Sequence, residues 1–336
     1  MDEIISMDYG SGGTKTAELI DEILRPAFAS PELEELGDGA VLSGIAPGKL
    51  AFSTDSFVVQ PLFFPGGDIG KLSVCGTVND VAMCGAVPRY LSFSLVLEEG
   101  TSMQTLRRVV ESAARTAREA GVRIVTGDTK VVERGHGDGI YINTAGIGEI
   151  VCPGLTPAAI RPGDKVLVTG PVGDHGTAVM LSRSGLGLTG EIQSDCMPLH
   201  RLAAACWETA GSGLRCLRDA TRGGIATTLN EFAEGRGFGI RLEEEAIPVR
   251  PGVRAVCELL GLDPLYCANE GRMLAVVSAE SAGKVLEALR TLPGGEGSAL
   301  IGEATEDNSG RVILTGSLGA GRVLTRLTGA QLPRIC

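Results

Sequence analysis

The chain has 336 residues, 41 of them acidic and 30 basic, and its net charge of −11 is spread along the sequence rather than gathered in a block. That length can bury one large or two medium cores, and with no basic patch to face phosphates a nucleic acid is excluded as a natural partner. The opening residues are acidic and no apolar run reaches membrane-spanning length, so a cytoplasmic protein with no signal peptide and no membrane partner is expected. The nine cysteines form no C-x-x-C pair and no zinc-like cluster. In a reducing compartment most are small hydrophobes, as the apolar surroundings of Cys75, Cys84 and Cys257 suggest.

Tyr9-Gly-Ser-Gly-Gly-Thr-Lys15 precedes an amphipathic segment that Pro26 follows. Glycines ahead of a helix can wrap amide groups around a phosphate, although the G-x-x-x-x-G-K-[ST] loop is absent and, on the motif alone, a flexible arm explains them better. Gly37-Asp-Gly-Ala-Val-Leu42 leads into one predicted strand and residues 50–55 form another. A helix over 69–83 is predicted, with Asp68 as its cap and Gly85 as its stop. It carries Asn79 and Asp80 among Leu72, Val74, Val78 and Ala82, and a carboxylate on an apolar helix calls for a partner such as a charge or a metal. Residues 90–97 read as a strand. Thr101-Ser-Met-Gln104 reads as a capping box for a helix whose apolar residues follow the 3.6 period up to Gly121. A strand over 122–125 is expected to deliver Thr126-Gly-Asp-Thr-Lys130 at its end, and 141–150 closes this half.

Three prolines and two glycines in 152–163 mark a domain boundary, dividing the chain into 1–151, 152–320 and a tail, 321–336, expected to be mobile. A strand over 165–169 enters a turn containing His175, which reads equally as an acid or base and as a polar residue at a helix start. Helices are predicted over 199–210, 225–234 and 252–260. Between the first two, Arg218-Asp-Ala-Thr-Arg-Gly-Gly224 groups a carboxylate, an arginine and two glycines in a loop suited to an anionic ligand. Asn269-Glu270-Gly271 turns into a strand over 273–277, followed by a helix over 281–292 and strands near 300–302 and 312–314. The alternation predicts an α/β fold in α+β layers. In the tail, Pro333 stiffens Leu332-Pro-Arg-Ile-Cys336, and the Cys336 thiol reads either as a carrier or as an accident of a frayed end.

Asp38, Asp55, Asp80 and Asp128 sit in Gly-flanked or polar breaks, with Lys130 close behind the last. Converging carboxylates plus a lysine suit Mg²⁺ shared with the phosphates of ATP. At this point the sequence resembles the HypE-type carbamoyl dehydratases of nickel–iron hydrogenase maturation, within the superfamily of aminoimidazole ribonucleotide synthetase. The resemblance rests on Gly10-Ser-Gly-Gly13, Phe52-Ser-Thr-Asp-Ser56, Pro61-Leu-Phe-Phe-Pro-Gly-Gly67, Asn79-Asp-Val-Ala82, Val125-Thr-Gly-Asp-Thr-Lys-Val-Val132, Gly173-Asp-His-Gly176, Asp219-Ala-Thr-Arg-Gly-Gly224, Ala268-Asn-Glu-Gly271 and Pro333-Arg-Ile-Cys336. Gly37-Asp38-Gly39 departs from the pair of adjacent acids common in the superfamily.

The resemblance implies a two-domain ATP-binding fold like that of aminoimidazole ribonucleotide synthetase and a homodimer formed through first-domain strands. A carbamoyltransferase, HypF, would load the Cys336 sulfur, ATP would phosphorylate the carboxamide oxygen, and loss of phosphate would leave a thiocyanate. That group would supply cyanide to iron on a HypC–HypD scaffold. It further implies Glu270 as general base, with Lys130 also near the reacting amide. Nucleotide contacts would come from Gly12, Gly13, Asp55, Asn79, Asp80, Asp128, Asp219, Thr221 and Arg222, and Mg²⁺ ligands from Asp38, Asp55, Asp80 and Asp128. Arg334 reads as a docking contact for the tail or as a solvated charge. The alternatives are a selenophosphate synthetase, whose glycine-loop Cys or selenocysteine is missing here, a thiamine-phosphate kinase, and a non-catalytic thiol carrier.

Overall fold

The structure, a computed structural model, describes residues 2–11, 13–34, 39–42, 45–184, 192–327 and 334–336. Gly12 and Asp38 lie outside the described residues. The first half contains β1 (Leu50–Phe57), the short pair β2 (Phe63–Phe64) and β3 (Gly67–Asp68), β4 (Ala86–Glu98), β5 (Arg123–Val132) and β6 (Ile140–Ile150). One sheet runs in the order β1-β6-β4-β5, with β6 antiparallel to both neighbours and β5 parallel to β4. Alternation along β1 sends Ala51, Ser53, Asp55 and Phe57 to the helix-covered side, so Asp55 points inward beside a core phenylalanine.

The helix Ile69–Met83 starts where Asp68 accepts hydrogen bonds from the amides of Gly70 (2.8 Å) and Lys71 (3.1 Å). It has no polar face because both sides are covered: Val74, Cys75 and Val78 pack on the first sheet, while Ala82 and Met83 pack against Leu199 and Leu202 of the second half. The following helix, Met103–Ala120, buries one stripe, including Leu106, Val110 and Ala117, and ends at Gly121 in the left-handed region. Its expected capping box does not form. Ser102 occupies the N-cap position with no side-chain capping bond, and Thr101 Oγ1 donates instead to Gly139 O (3.2 Å).

Two strand expectations are corrected here. Residues 39–42 carry no strand. Conversely, β5 does not stop at Val125 but continues to Val132, paired with β4 on both sides of a register shift at Val125. Gly127 therefore marks a close approach rather than a turn, since a Cβ there would lie 2.2 Å from Phe93 O.

The second half holds β7 (Lys165–Val168), β8 (Leu214–Asp219), β9 (Gly239–Glu243), β10 (Met273–Val277), β11 (Ala299–Thr305), β12 (Val312–Thr315) and β13 (Gly321–Leu324). They form a sheet in the order β13-β12-β9-β11-β7-β10-β8, parallel only between β12 and β9. The sheet has two covered faces. Leu274 and Val276 of β10 meet Ile225 and Leu229 of the helix Gly224–Ala233, whereas Met273, Ala275 and Val277 meet Leu202, Val285 and Leu289 of the helices His200–Ala210 and Ala279–Arg290. β8, β9 and β13 are not apparent in the sequence, and β13 places the first residues of the expected tail at the edge of this sheet. No helix among the described residues is long and apolar enough to cross a membrane.

The turn after β8 depends on Gly224, whose φ is +59° and where a Cβ would lie 2.4 Å from Leu265 O and 2.7 Å from Cys267 O. We expect Gly224→Ala to destabilise the fold by at least about 1–3 kcal/mol, the usual range for one strained residue, and a denaturant midpoint unchanged from wild type would refute this.

Candidate active site

The two sheets enclose a cavity of about 620 Å³. β1 brings Asp55, the central helix brings Asp80, the end of β8 brings Asp219, and the glycine-closed turn adds Thr221 and Arg222. The turn before β10 adds Glu270, and Cys336 completes the lining. Asp80 Oδ2 accepts from Ser53 Oγ (2.7 Å), and Asp55 Oδ1 accepts from the Ser56 amide (2.8 Å) and lies 3.8 Å from Arg222.

This lining is short of positive charge. Glu270 is 3% exposed, and its Oε1 is buried with no hydrogen-bond partner. Burial, reinforced by neighbours that include Cys196, Asp219, Asp195 and Asp55, holds its carboxyl well above the usual carboxylate range. Asp219 is pushed up to about 7, chiefly by burial and then by Asp80. Burial also raises Asp55, against the pull of the Ser56 amide. The carboxylates of Asp55 and Asp80, which share this cavity and are offset only by hydrogen-bond donors and a guanidinium 3.8 Å from Asp55, fit a hard divalent cation. Among the described residues, no three histidine, cysteine or acidic side chains could hold a metal by themselves. Mg²⁺ meets that condition, because it commonly takes one or two carboxylates and fills the rest of its shell with water and substrate phosphates.

Asp128 and Lys130 are elsewhere. They line a second cavity of about 280 Å³ whose walls include Ile20, Leu24, Phe28 and Phe93. Lys130 Nζ donates to Asp128 Oδ1 (2.7 Å), and this contact holds the Asp128 carboxyl below its ordinary range. Within this chain Asp128 and Lys130 thus line a different cavity from Asp55 and Asp80. β6 and β4 stand between β1 and β5, and three strand spacings amount to about 14 Å. Gly13 is exposed at the start of the helix Thr14–Leu19 and lines neither cavity. Asn79 also faces neither: Oδ1 accepts from the Leu199 amide (2.7 Å) and Nδ2 donates to Met197 O (3.2 Å), joining the two halves.

Asp195 is a residue that no sequence motif signalled. Its carboxylate accepts from the amides of Glu270 (3.1 Å) and Gly271 (3.2 Å), with Arg272 at 3.6 Å, and so fixes the turn that carries Glu270. Gly271 allows the approach, because a Cβ there would lie 1.8 Å from Asp195 O.

Residues 334–336 are docked inward, running antiparallel to residues 58–60. Val58 N donates to Cys336 O (3.2 Å), Gln60 N to Arg334 O (3.4 Å), and Arg334 Nε to Val58 O (3.2 Å). Arg334 also pairs with Asp138, so its role is docking rather than solvation. Ile335 is 4% exposed within the first core. Burial, followed by the charge of Glu270, pushes the Cys336 thiol from 9.0 up to about 12.

The shift has a testable sign. Below pH 9 the thiol keeps its proton whether docked or released, and docking is fully favoured. Between 9 and 12 only the released thiol ionises, so docking weakens as pH rises. Alkylation of an ordinary thiol levels off once it is ionised, whereas that of Cys336 should keep climbing above pH 9. A plateau at that pH in iodoacetamide labelling of this residue would contradict the docked arrangement.

The sequence family described as AIR synthase related protein, N-terminal domain, matches residues 36–150, and the corresponding C-terminal domain matches 161–315. Carbamoyl dehydratase HypE of Bradyrhizobium diazoefficiens is 50% identical over 334 residues, covering 99% of this chain and 96% of its own. A crystal structure of the hydrogenase maturation protein HypE in complex with ATP superposes with a TM-score of 0.94 at 48% identity, covering 98% of this chain and 99% of that one. A chain from a crystal structure of a HypE–HypF complex gives a TM-score of 0.80 at 43% identity, covering 92% of this chain and 99% of that one.

Proposed function

The chain belongs to the HypE family of carbamoyl dehydratases, and from that premise we propose how its residues carry out the reaction. The enzyme is an ATP-dependent carbamoyl dehydratase of hydrogenase maturation, and in our reading Cys336 carries the carbamoyl group. The observation that carries this assignment is the docked Cys336 thiol lining the same acidic cavity as the unpaired Glu270 carboxyl.

The substrate is then an S-carboxamide on the Cys336 sulfur. Its oxygen attacks the terminal phosphorus of ATP, an O–P bond forms, the bond to ADP breaks, and one N–H proton departs. The carbon–oxygen bond then breaks and its electron pair leaves with inorganic phosphate. Loss of the second N–H proton closes the C≡N bond, so the water formally removed ends up in phosphate. An amide oxygen is a poor leaving group and phosphate a good one, which is why ATP is consumed. Of these protons the second leaves with the phosphate, and the first passes from nitrogen to Glu270. Its buried carboxylate is a stronger base than an exposed one, and the same burial keeps water away from the phosphorylated group.

Asp55 and Asp80 would hold Mg²⁺, with Asp219, Thr221 and Arg222 toward the phosphates. Bound there, the ion offsets negative charge on the transferring phosphoryl group. We assign Asp128 and Lys130 to a part of the nucleotide remote from the carboxamide. HypF is the partner that loads Cys336, a reading supported by the HypE–HypF complex of relatives. We further propose a HypC–HypD acceptor, a cytoplasmic location, and a division between the two halves at 151/152. A homodimer through the first sheet is supported by its uncovered face, where Phe52 is 68% and Leu50 48% exposed.

The test is to incubate the protein with the carbamoyltransferase and carbamoyl phosphate, add ATP and Mg²⁺, and weigh the peptide ending at Cys336. We expect a carbamoyl adduct that loses one water only with ATP. An adduct that never loses water would leave a carrier without catalysis, and no adduct with an active partner would overturn the assignment.

A further inference from the structure

The helix Asp174–Ser184 packs beside the docked tail and touches it at two backbone carbonyls. At its first turn, His175 is fully buried, with both ring nitrogens engaged. Nε2 lies 2.8 Å from Ile335 O, and Nδ1 lies 2.8 Å from Ser194 Oγ. A carbonyl oxygen can only accept, so Nε2 carries the proton and Nδ1 accepts from the serine hydroxyl. The Ser194 oxygen in turn accepts from the Cys196 amide (3.0 Å), and the Phe64 ring meets the imidazole edge to face with centroids 5.4 Å apart. The imidazole is thus fixed before the tail arrives. At the last turn, the Arg183 guanidinium donates to Arg334 O and to Gln60 O, tying the tail to the strand-like segment it lies along.

From this geometry we propose that His175 is a positioning residue that latches the carrier tail in the active site by its Ile335 carbonyl, with Arg183 as the second point of the latch. The inference rests on the reading of Cys336 as the carrier. It adds how the tail is retained, and with what selectivity. Both contacts go to main-chain oxygens, so they register the path of the backbone and ignore the group on sulfur. The latch therefore holds the free thiol, the carboxamide and the thiocyanate alike. Loading by a transferase and delivery to an acceptor both require it to open. His175 accordingly takes no proton from the substrate: its Nε2–H is spent on Ile335 O, and its other nitrogen faces Ser194.

The test uses two variants of the full-length protein that keep different halves of the imidazole. His175→Asn retains an amide near the Nδ1 position and loses reach to the tail, whereas His175→Gln reaches toward the Nε2 position. The readout is the rate of Cys336 alkylation by iodoacetamide at pH 8, followed by mass spectrometry of the peptide ending at Cys336, with Trp207 fluorescence as a check on the fold. Losing one hydrogen bond to the tail should raise the alkylation rate of His175→Asn on the order of tenfold, while His175→Gln stays nearer wild type. Arg183→Met should move in the same direction as His175→Asn, and it tests the latch independently if the histidine variants do not fold.

Equal alkylation rates in wild type, His175→Asn and Arg183→Met would overturn the latch, as would identical rates in the asparagine and glutamine variants. Alkylation does not require dehydratase chemistry. If the rates respond as expected but wild type makes no thiocyanate, the latch stands and the catalytic reading fails.

Discussion

Cys336→Ser is expected to abolish thiocyanate formation while leaving the protein folded and able to bind ATP. Sulfur is the atom on which the substrate is carried, and the docked arrangement turns a bimolecular encounter into an intramolecular one. Well-oriented intramolecular groups reach effective concentrations of about 10⁵ M or more, so an S-carbamoyl thiol added at millimolar concentration cannot restore turnover to the variant. The substitution is nearly isosteric and leaves both Ile335 in its core site and the carbonyl contacts of the tail untouched. The loss would therefore report chemistry rather than docking. Mass spectrometry after incubation with the transferase should show no adduct on the serine variant, and ATP binding by calorimetry should match wild type. Thiocyanate appearing on another cysteine of the variant would sink the assignment. The cysteine to watch is Cys84, which is exposed and lines the same cavity, whereas Cys206 and Cys216 are buried and their thiols are pushed up to about 12 by burial.

What was legible in the sequence follows from which interactions are local. The helix Ile69–Met83 was legible to the residue, because its cap is Asp68 itself and its stop is Gly85, both adjacent to the segment they bound. The acidic character of the site was legible because its aspartates interrupt apolar patterns, although Asp55 and Asp80 lie inside β1 and the central helix rather than in breaks. Sheet order was not. Nothing near Asp55 or Asp128 says that β6 and β4 will stand between their strands, and the two residues consequently serve different cavities. The end of β5 was placed too early because glycine marks both turns and close approaches, and only the path of Phe93 tells them apart at Gly127. The family resemblance implied Asn79 as a nucleotide contact, and local sequence does not show what its side chain meets in the fold. Its partners are main-chain groups 118 and 120 residues away, in the second half. Asp195 and Ser194 were silent for a related reason: each acts by holding another residue, Glu270 or His175, that is distant in sequence.

Glu270→Gln should separate the two halves of the reaction. Glutamine keeps the shape and can still fill the turn held by Asp195, whose bonds go to the main chain and not to the Glu270 side chain. What it removes is the one buried carboxylate oxygen without a partner beside Cys336. Loading by the transferase happens with the tail released, so the S-carboxamide should form at the wild-type rate and then accumulate. Dehydration in a single turnover should fall about 10²- to 10⁴-fold, the usual contribution of a positioned general base. The pH profile supplies a second readout. Burial holds the Glu270 proton well above the ordinary range, so the wild-type rate should rise with pH as that proton is lost, and the glutamine variant should lack this rise. ATP affinity should not weaken, because the glutamine amide is neutral, as is the protonated carboxyl that it replaces. A variant that dehydrates within about threefold of wild type, far short of a base's usual contribution, would show that another group takes the first proton from nitrogen and that the buried carboxyl serves only to shape the cavity.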